Sequence, residues 1–239
     1  MNNHAAEFRA RLEERLAGWG LSPEFAGEIE KHATPVTYER GAVIFLRGTS
    51  ADFLFWVLKG FAKLDLPHEN GNRTLVALTR PGDLLGFIDS VDAKGRRQVL
   101  EAQALTGCTV GLFSREHMFQ LLRKFDRETM IRSFEHLNSA WSMIFERFVS
   151  FMGLSFRHRL EVVLAGLGAR FGANDKRGTL IVPELNQEDL AKMIGASRPM
   201  VSKLIADMTR EGRLTRGERH HFILQNHARR PEVTDSADP

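Results

Sequence analysis

From residue 35 to residue 114 the chain is cut at roughly ten-residue intervals by turn punctuation, and that rhythm constrains the fold more than any other feature. Apolar, β-favouring runs occupy 42–46, 53–58, 62–66, 74–78, 99–104 and 109–113. Between them stand Arg40-Gly41, Arg47-Gly48, Lys59-Gly60, Glu69-Asn70-Gly71 and Pro81-Gly82-Asp83. Several short strands at such intervals favour antiparallel pairing between neighbours. They predict an antiparallel roll or barrel, with Asn70-Gly71 at a hairpin tip.

The texture then changes. Met130, Phe134, Leu137, Trp141, Ile144, Phe148 and Phe151 alternate four- and three-residue steps, which predicts a helix over about 126–152 with one apolar seam. An ordinary core helix lying on the roll gives the same stripe. Phe145, Met143 and Met152 widen the apolar surface beside it, so one side can meet the roll while the other meets a second copy of the chain. Gly153 reads as a break, followed by a helix at about 155–170 with Phe156, Leu160, Val163, Leu164 and Leu167 on one face. That helix is expected to end at a loop, Gly172-Ala173-Asn174-Asp175. At the N-terminus, Phe8, Leu12, Leu16 and Trp19 give 5–19 the spacing of a short amphipathic helix, while 228–239 reads as a polar, disordered tail.

The strongest local signal lies between 187 and 204. Asn186 is an N-cap candidate for a helix opening Gln187-Glu188-Asp189, with Ala191 small and Gly195 four positions later. Two short helices crossing steeply need a small residue at closest approach and a glycine in the turn. Leu190, Ile194, Val201 and Leu204 supply the apolar contacts. Ser197 caps the second helix, and Pro199 falls in its first turn, where a missing N–H costs little. The expected outward positions are Ser197, Arg198, Ser202 and Lys203, hydroxyls and cations suited to phosphate oxygens and guanine edges. The segment 212–224 then reads as a two-stranded wing with a basic tip carrying Arg216 and Arg219.

Charge supports that placement. The chain's 239 residues carry a net charge of only +3, yet 176–230 holds eleven Lys and Arg against six Asp and Glu. A basic end on a near-neutral body points to a polyanion. At a working figure of about 150 residues per domain, the length favours two domains. The longest uninterrupted apolar run, 53–58, is far too short to span a bilayer, and the N-terminus lacks the apolar core of a signal peptide, so a cytoplasmic protein without membrane partners is expected. The single cysteine, Cys108, excludes an internal disulfide, a four-thiolate zinc site and a cysteine-ligated iron–sulfur cluster.

From about 20 to 226 the chain resembles the Crp/Fnr family of cyclic-AMP receptor protein-like transcription regulators. The resemblance runs through Arg40-Gly41, Arg47-Gly48 with Ala51-Asp52, Lys59-Gly60, Arg80-Pro81-Gly82-Asp83 with Gly86, and Ile194-Gly195-Ala196-Ser197-Arg198 through Lys203. It implies an α+β chain: an N-terminal helical segment (1–34), an antiparallel, cyclic-nucleotide-binding-like β-roll that senses an effector (35–125), a dimerisation helix (126–153), and a winged helix-turn-helix that binds DNA (154–227). The dimer helix presents Phe134, Leu137, Trp141, Ile144, Phe148 and Phe151. The implied partners are double-stranded DNA, a second copy of the chain, RNA polymerase and a small effector. Within the recognition helix at 197–209, Arg198 stands where the family reads a base, Lys203 at a second cationic contact, Ser197 at a phosphate, with Asn186, Gln187 and Ser202 beside them. Where the family commonly has a cytosine-reading glutamate, this chain has Pro199.

The effector site departs further. Cyclic-AMP-binding relatives pair Gly-Glu with Arg-Ser ten residues on; here the positions hold Gly86-Phe87 and Arg97-Gln98. The adenine-facing threonine and serine fall at Ile144 and Phe145. Only the arginine survives, and each hydrogen bond lost to a buried ligand group costs about 1–3 kcal/mol. Cyclic AMP is therefore not the expected effector. A more apolar ligand, an anion reached by Arg97, or activity without ligand remain open, as does Arg97 serving only as loop charge. For haem, His32, His68, His117, His136, His158, Met118 and Cys108 show no paired ligand spacing, and no metal site is expected.

Two functions compete with a DNA-binding regulator. A cyclic-nucleotide-binding-like sensory module acting through protein contact needs no basic winged helix. An enzyme would need a motif the chain lacks: no Gly-rich loop ending in Lys-Ser/Thr, no Gly-x-Ser-x-Gly and no His-Glu-x-x-His, so no catalytic residues are assigned.

Overall fold

The computed structural model describes residues 23–86, 97–124, 126–128, 130, 131, 134, 135, 149, 151–217 and 221–225, with 13 and 17 in addition. The chain divides into two compact units, Met1–Ser150 and Phe151–Pro239.

In the first unit α1 (Pro23–His32) falls within the 1–34 segment expected to be helical, beyond the 5–19 helix read from its periodicity. The 5–19 helix, with Phe8, Leu12, Leu16 and Trp19, lies outside the described residues apart from 13 and 17, both helical. Eight strands follow: β1 (Thr34–Tyr38), β2 (Val43–Phe45), β3 (Phe53–Lys59), β4 (Ala62–Pro67), β5 (Arg73–Thr79), β6 (Leu84–Leu85), β7 (Glu101–Ala104) and β8 (Cys108–Ser114). They form two antiparallel four-stranded sheets in the orders β1-β8-β3-β6 and β2-β7-β4-β5. This is the expected roll. The turn at Asn70-Gly71 closes the β4–β5 hairpin, where the N–H of His68 donates to the Asn72 carbonyl. β1 and β6 were not foreseen: β1 contains Pro35, and β6 is only two residues long.

The apolar run at 53–58 is explained by burial on both sides. Phe55 and Val57 enter the interior between the sheets, with Ile44, Phe45, Leu64, Leu85, Cys108 and Val110. Their neighbours Leu54 and Trp56 face the other way, packing with Ile29 of α1, Phe113, and Met118 and Leu121 of α2 (Arg115–Leu122). A strand covered on both faces loses period-two polarity and reads as continuous hydrophobe. Each such side chain contributes about 1.5–3 kcal/mol by leaving water.

Beyond α2, residues 127, 128, 130, 131, 134, 135, 149 and 151–153 are helical, in the stretch where the seam was read. Phe134 is 72% exposed within this chain, and Phe151 is half-buried. Leu137, Trp141, Ile144 and Phe148 lie outside the described residues. Gly153, read as the break, is itself helical; the chain bends at Leu154, because Ser155 starts the next helix as its N-cap.

The second unit contains α3 (Phe156–Phe171), β9 (Gly172–Asp175), β10 (Gly178–Ile181), α4 (Gln187–Ile194), α5 (Arg198–Arg210), β11 (Leu214–Arg216) and β12 (Phe222–Gln225). α3 buries Leu160, Val163, Leu164 and Leu167, as its periodicity predicts, and also Phe171. Two corrections apply. Residues 172–175 are not a loop but a strand, paired with β10. The expected two strands of the wing, β11 and β12, do pair, but they belong to a larger, four-stranded antiparallel sheet in the order β11-β12-β10-β9. β9 is polar and mostly exposed, so backbone pairing rather than side-chain alternation defines it. The tail at 228–239 lies outside the described residues.

The sole thiol supplies a test. Cys108 is fully buried in β8, and burial pushes its pKa up from 9.0 to about 11. A thiol-specific chromogenic reagent at pH 8 is expected to react only after denaturant unfolds the roll. Because the folded pKa lies above the unfolded one, the thiol's contribution to stability is intact below pH 9 and declines as pH rises towards 11. Chemical denaturation at pH 7.5 and pH 10.5 measures the difference.

Candidate nucleic-acid interface and effector site

α4 and α5 are built by reciprocal caps. The N–H of Asp189 donates to Asn186 Oδ1 at 2.8 Å, and the N–H of Asn186 donates to Asp189 Oδ2 at 3.2 Å, closing a capping box. α4 buries Leu190, Ala191, Met193 and Ile194 and ends at Gly195, whose φ of +69° is left-handed. An L side chain there would be strained, so glycine is what lets the chain reverse within two residues into the next cap. Ser197 Oγ accepts from the N–H of Met200 at 3.4 Å, and Pro199 occupies the first turn of α5, where it displaces no hydrogen bond.

α5 is divided lengthwise. Val201, Ile205 and Met208 are buried. Ser197, Arg198, Pro199, Met200, Ser202, Lys203 and Ala206 are exposed. All of the foreseen polar positions of the helix thus share one solvent face. Among the apolar contacts, Leu190, Ile194 and Val201 are buried as expected; Leu204 is only half-buried, because Ile205 and Met208 take the inner positions. Met200, 40% exposed beside Arg198, was missed: an apolar residue next to a proline carries no sequence signal of facing water. Asn186 is exposed and Gln187 half-buried at the start of α4. Arg216 is exposed at the end of β11, and Arg219 lies outside the described residues.

An ion network holds the far end of α5. Arg157 of α3 pairs with Glu211, the C-cap residue of α5, through both of its terminal nitrogens, one at 2.9 Å. Its Nε lies 3.3 Å from Glu161, which also accepts from Arg213 Nη1 at 2.6 Å. Hydrogen bonding to Arg157 holds the Glu211 carboxyl below its ordinary value, and Glu211 in turn raises the pKa of Arg157. No sequence pattern links these residues; only the fold brings 157 and 161 to 211 and 213.

In the roll, the residues read as an effector cassette separate. Gly86 has φ +78°, and a Cβ there would come within 3.2 Å of the Phe53 carbonyl and 3.4 Å of Gln98 Nε2. Gln98 is 2% exposed, and among the described residues neither side-chain polar atom has a hydrogen-bond partner. Arg97 points elsewhere: it is exposed, and its Nη1 donates to the Gly48 carbonyl at 2.7 Å. Phe87, Ile144 and Phe145 lie outside the described residues. Arg115, unremarked in the sequence, is 3% exposed and donates to the carbonyls of Ala51 and Gly86, each at 2.5 Å. It ties the start of α2 to the residue from which the cassette departs. Among the described residues no group of histidine, cysteine or carboxylate side chains could hold a metal ion, and no helix is long and apolar enough to cross a membrane.

A β-roll followed by a helix-turn-helix with an attached sheet defines a class: a sensor-type domain joined to a DNA-binding domain. Comparison with known proteins agrees. Residues 35–125 match the cyclic nucleotide-binding domain family, and residues 158–229 match the Crp-like helix-turn-helix domain family. The chain is 26% identical over 202 residues to the CRP-like cAMP-activated global transcriptional regulator of Mycobacterium tuberculosis, covering 81% of this chain and 85% of that one. It is 28% identical over 180 residues to the global nitrogen regulator of Synechococcus elongatus, covering 74% and 79%. The structure of FixK2 from Bradyrhizobium japonicum superposes with a TM-score of 0.69 at 17% identity, covering 81% and 93%. The chain belongs to the Crp/Fnr family of DNA-binding transcription regulators. The Crp-like helix-turn-helix sets aside the reading of a sensory module that acts by protein contact alone.

The ion network predicts a specific loss. Glu161→Gln leaves Arg157 and Arg213, each about a third exposed, without their shared carboxylate, and is expected to cost about 1–2 kcal/mol of stability in the second unit. Separately, the folded pKa of Glu211 is depressed by Arg157, so the stability it contributes is present above pH 4.5 and is lost as the pH falls through the folded value. Thermal melts at pH 7 and pH 4 check both statements.

Proposed function

We propose that the protein acts as a homodimer that reads a two-fold symmetric operator by placing α5 in the major groove. The observation that carries this reading is the division of α5 into a buried apolar side and an exposed side bearing Ser197, Arg198, Ser202 and Lys203. Arg198, at the N-terminal end of the helix, reads a guanine edge, where a guanidinium can donate to O6 and N7. Lys203, Ser197 and Ser202 serve phosphates, with Asn186 and Gln187 at the start of α4 and Arg216 and Arg219 of the wing on the flanking backbone. Met200 supplies the apolar surface that a thymine methyl accepts. Half-sites lie about one helical turn, roughly 34 Å, apart.

Dimerisation runs through the 126–153 stretch. Phe134 at 72% exposure and Met130 at 43% leave apolar surface that a second copy would cover. Met130 also borders a cleft of about 560 Å³ lined with Phe119 and Leu122. The roll is the sensory part, and its effector is not cyclic AMP, although the mycobacterial relative is described as cAMP-activated. Phe87 and Gln98 replace the family's carboxylate and hydroxyl, and the Arg97 guanidinium rests on the Gly48 carbonyl. The protein works in the cytoplasm, catalyses no reaction, and meets RNA polymerase at its target promoters.

Selecting bound genomic fragments, with and without cell extract, gives the operator and shows whether a small molecule is required. With that operator, log affinity is expected to fall linearly with log salt at a slope set by the phosphates neutralised; salt-indifferent or absent binding overturns the reading. Arg198→Ala is expected to cost about 1–3 kcal/mol and to relax discrimination at one base pair per half-site. Uniform weakening on all sequences would make Arg198 a phosphate contact. Isothermal titration of the dimer with cyclic AMP is expected to show no micromolar binding.

A further inference from the structure

The first turn of α3 carries a second arginine whose contacts lie on the side of the helix-turn-helix away from the ion network. Arg159 Nε donates to the Leu154 carbonyl at 3.0 Å, at the bend between the helical residues 151–153 and α3. Its Nη1 donates to the Ile194 carbonyl at 3.3 Å, in the last turn of α4, and lies 4.0 Å from where a Cβ on Gly195 would be. The same guanidinium sits 6.0 Å from the Phe151 ring centroid and 5.1 Å from that of Phe156. One half-buried side chain thus touches the end of the long stretch, the bend, the start of α3 and the turn that aims α5.

The chemistry suits the position. The carbonyls of a helix's last turn have no intrahelical donor, and the C-terminal end of the dipole favours a cation. The Leu154 carbonyl stands at a break, where the helical ladder is interrupted. A planar fork can serve both carbonyls at once and still stack against aromatic faces, which the single ammonium of lysine cannot do. Phe151 is the last residue of the apolar seam, so the clamp begins where the seam ends.

We infer that Arg159 is a positioning residue for operator recognition: it fixes the angle between residues 151–154 and the α4–α5 turn within the second unit, and so sets which half-site spacing the dimer accepts, without touching DNA itself. The inference rests on the DNA-reading function proposed above and adds to it the residue that determines spacing. The geometry separates this role from that of Arg198, which is exposed on α5, whereas Arg159 is half-buried and donates from Nε and Nη1 to two backbone carbonyls.

The test uses the full-length protein with its selected operator and with duplexes whose spacer is lengthened or shortened by one base pair, a change that rotates one half-site by about 34°. The wild type is expected to prefer its own spacing. Arg159→Met is expected to bind the native spacing about tenfold more weakly, to lose most of the discrimination against altered spacers, and to keep the wild-type slope of log affinity against log salt. Arg159→Lys, which keeps the cation but only one carbonyl contact, is expected to fall between the two. A salt slope reduced by about one would make Arg159 a phosphate contact and overturn the inference. Unchanged spacing preference in both variants would overturn it too. So would a parallel loss of operator and non-specific binding with a lowered melting temperature, which marks a structural role only. If the wild type binds no duplex, the DNA-reading function itself fails, and the two failures are told apart by the wild-type arm.

Discussion

A single left-handed residue governs how this chain presents its recognition surface. Gly195, at φ +69°, lets α4 end and α5 begin with only three residues between them. Everything downstream on α5 inherits its facing from that turn. Val201, Ile205 and Met208 go inward, and the hydroxyls and cations are left outside by the same rotation. A longer or looser connection would leave the two helices free to slide, and a helix that slides reads no fixed set of base pairs.

The structure then braces that turn from two directions. On one side the Arg157, Glu161, Glu211 and Arg213 network joins α3 to the far end of α5; on the other, Arg159 holds the end of α4. Both braces come from the first turn and a half of α3, so the end of α4 and the far end of α5 are tied to one short segment. The roll has a comparable anchor in Arg115, which links the N-terminus of α2 to the backbone at Ala51 and Gly86. In each unit a buried or half-buried arginine acts on main-chain carbonyls. Such contacts hold backbone to backbone and do not depend on which side chains surround them.

How much of this the sequence disclosed follows physical lines. The roll strands at 53–59, 62–67, 73–79 and 108–114 were legible because apolar runs alternate with turn residues that can do little else. α4 and α5 were legible to within a residue, since Asn186, Gly195, Ser197 and Pro199 are each a local signal with its own steric or hydrogen-bonding cause. β9 was not, because a polar strand held by its neighbour's backbone has no periodicity to betray it. The bend at Leu154 was displaced by one residue from Gly153: glycine is tolerated at a helix end, and the Ser155 cap decides where the next helix starts. Ion pairs between positions some fifty residues apart, such as Arg157 with Glu211 and Arg213 with Glu161, leave no local trace. The exposed face of α5 was therefore readable residue by residue, whereas the devices that aim it were not.

Pro199 has a consequence at the level of the cell. Family members in one cytoplasm share a fold and a similar helix entering DNA, so their binding sites are separated mainly by a few side chains at the start of that helix. A pyrrolidine ring at the second helical position can accept no hydrogen bond from a cytosine amino group, yet it stiffens the first turn that carries Arg198. Under the DNA-reading function proposed above, the substitution withdraws this regulator from promoters written for its carboxylate-bearing cousins, insulating one regulon from another with a single ring.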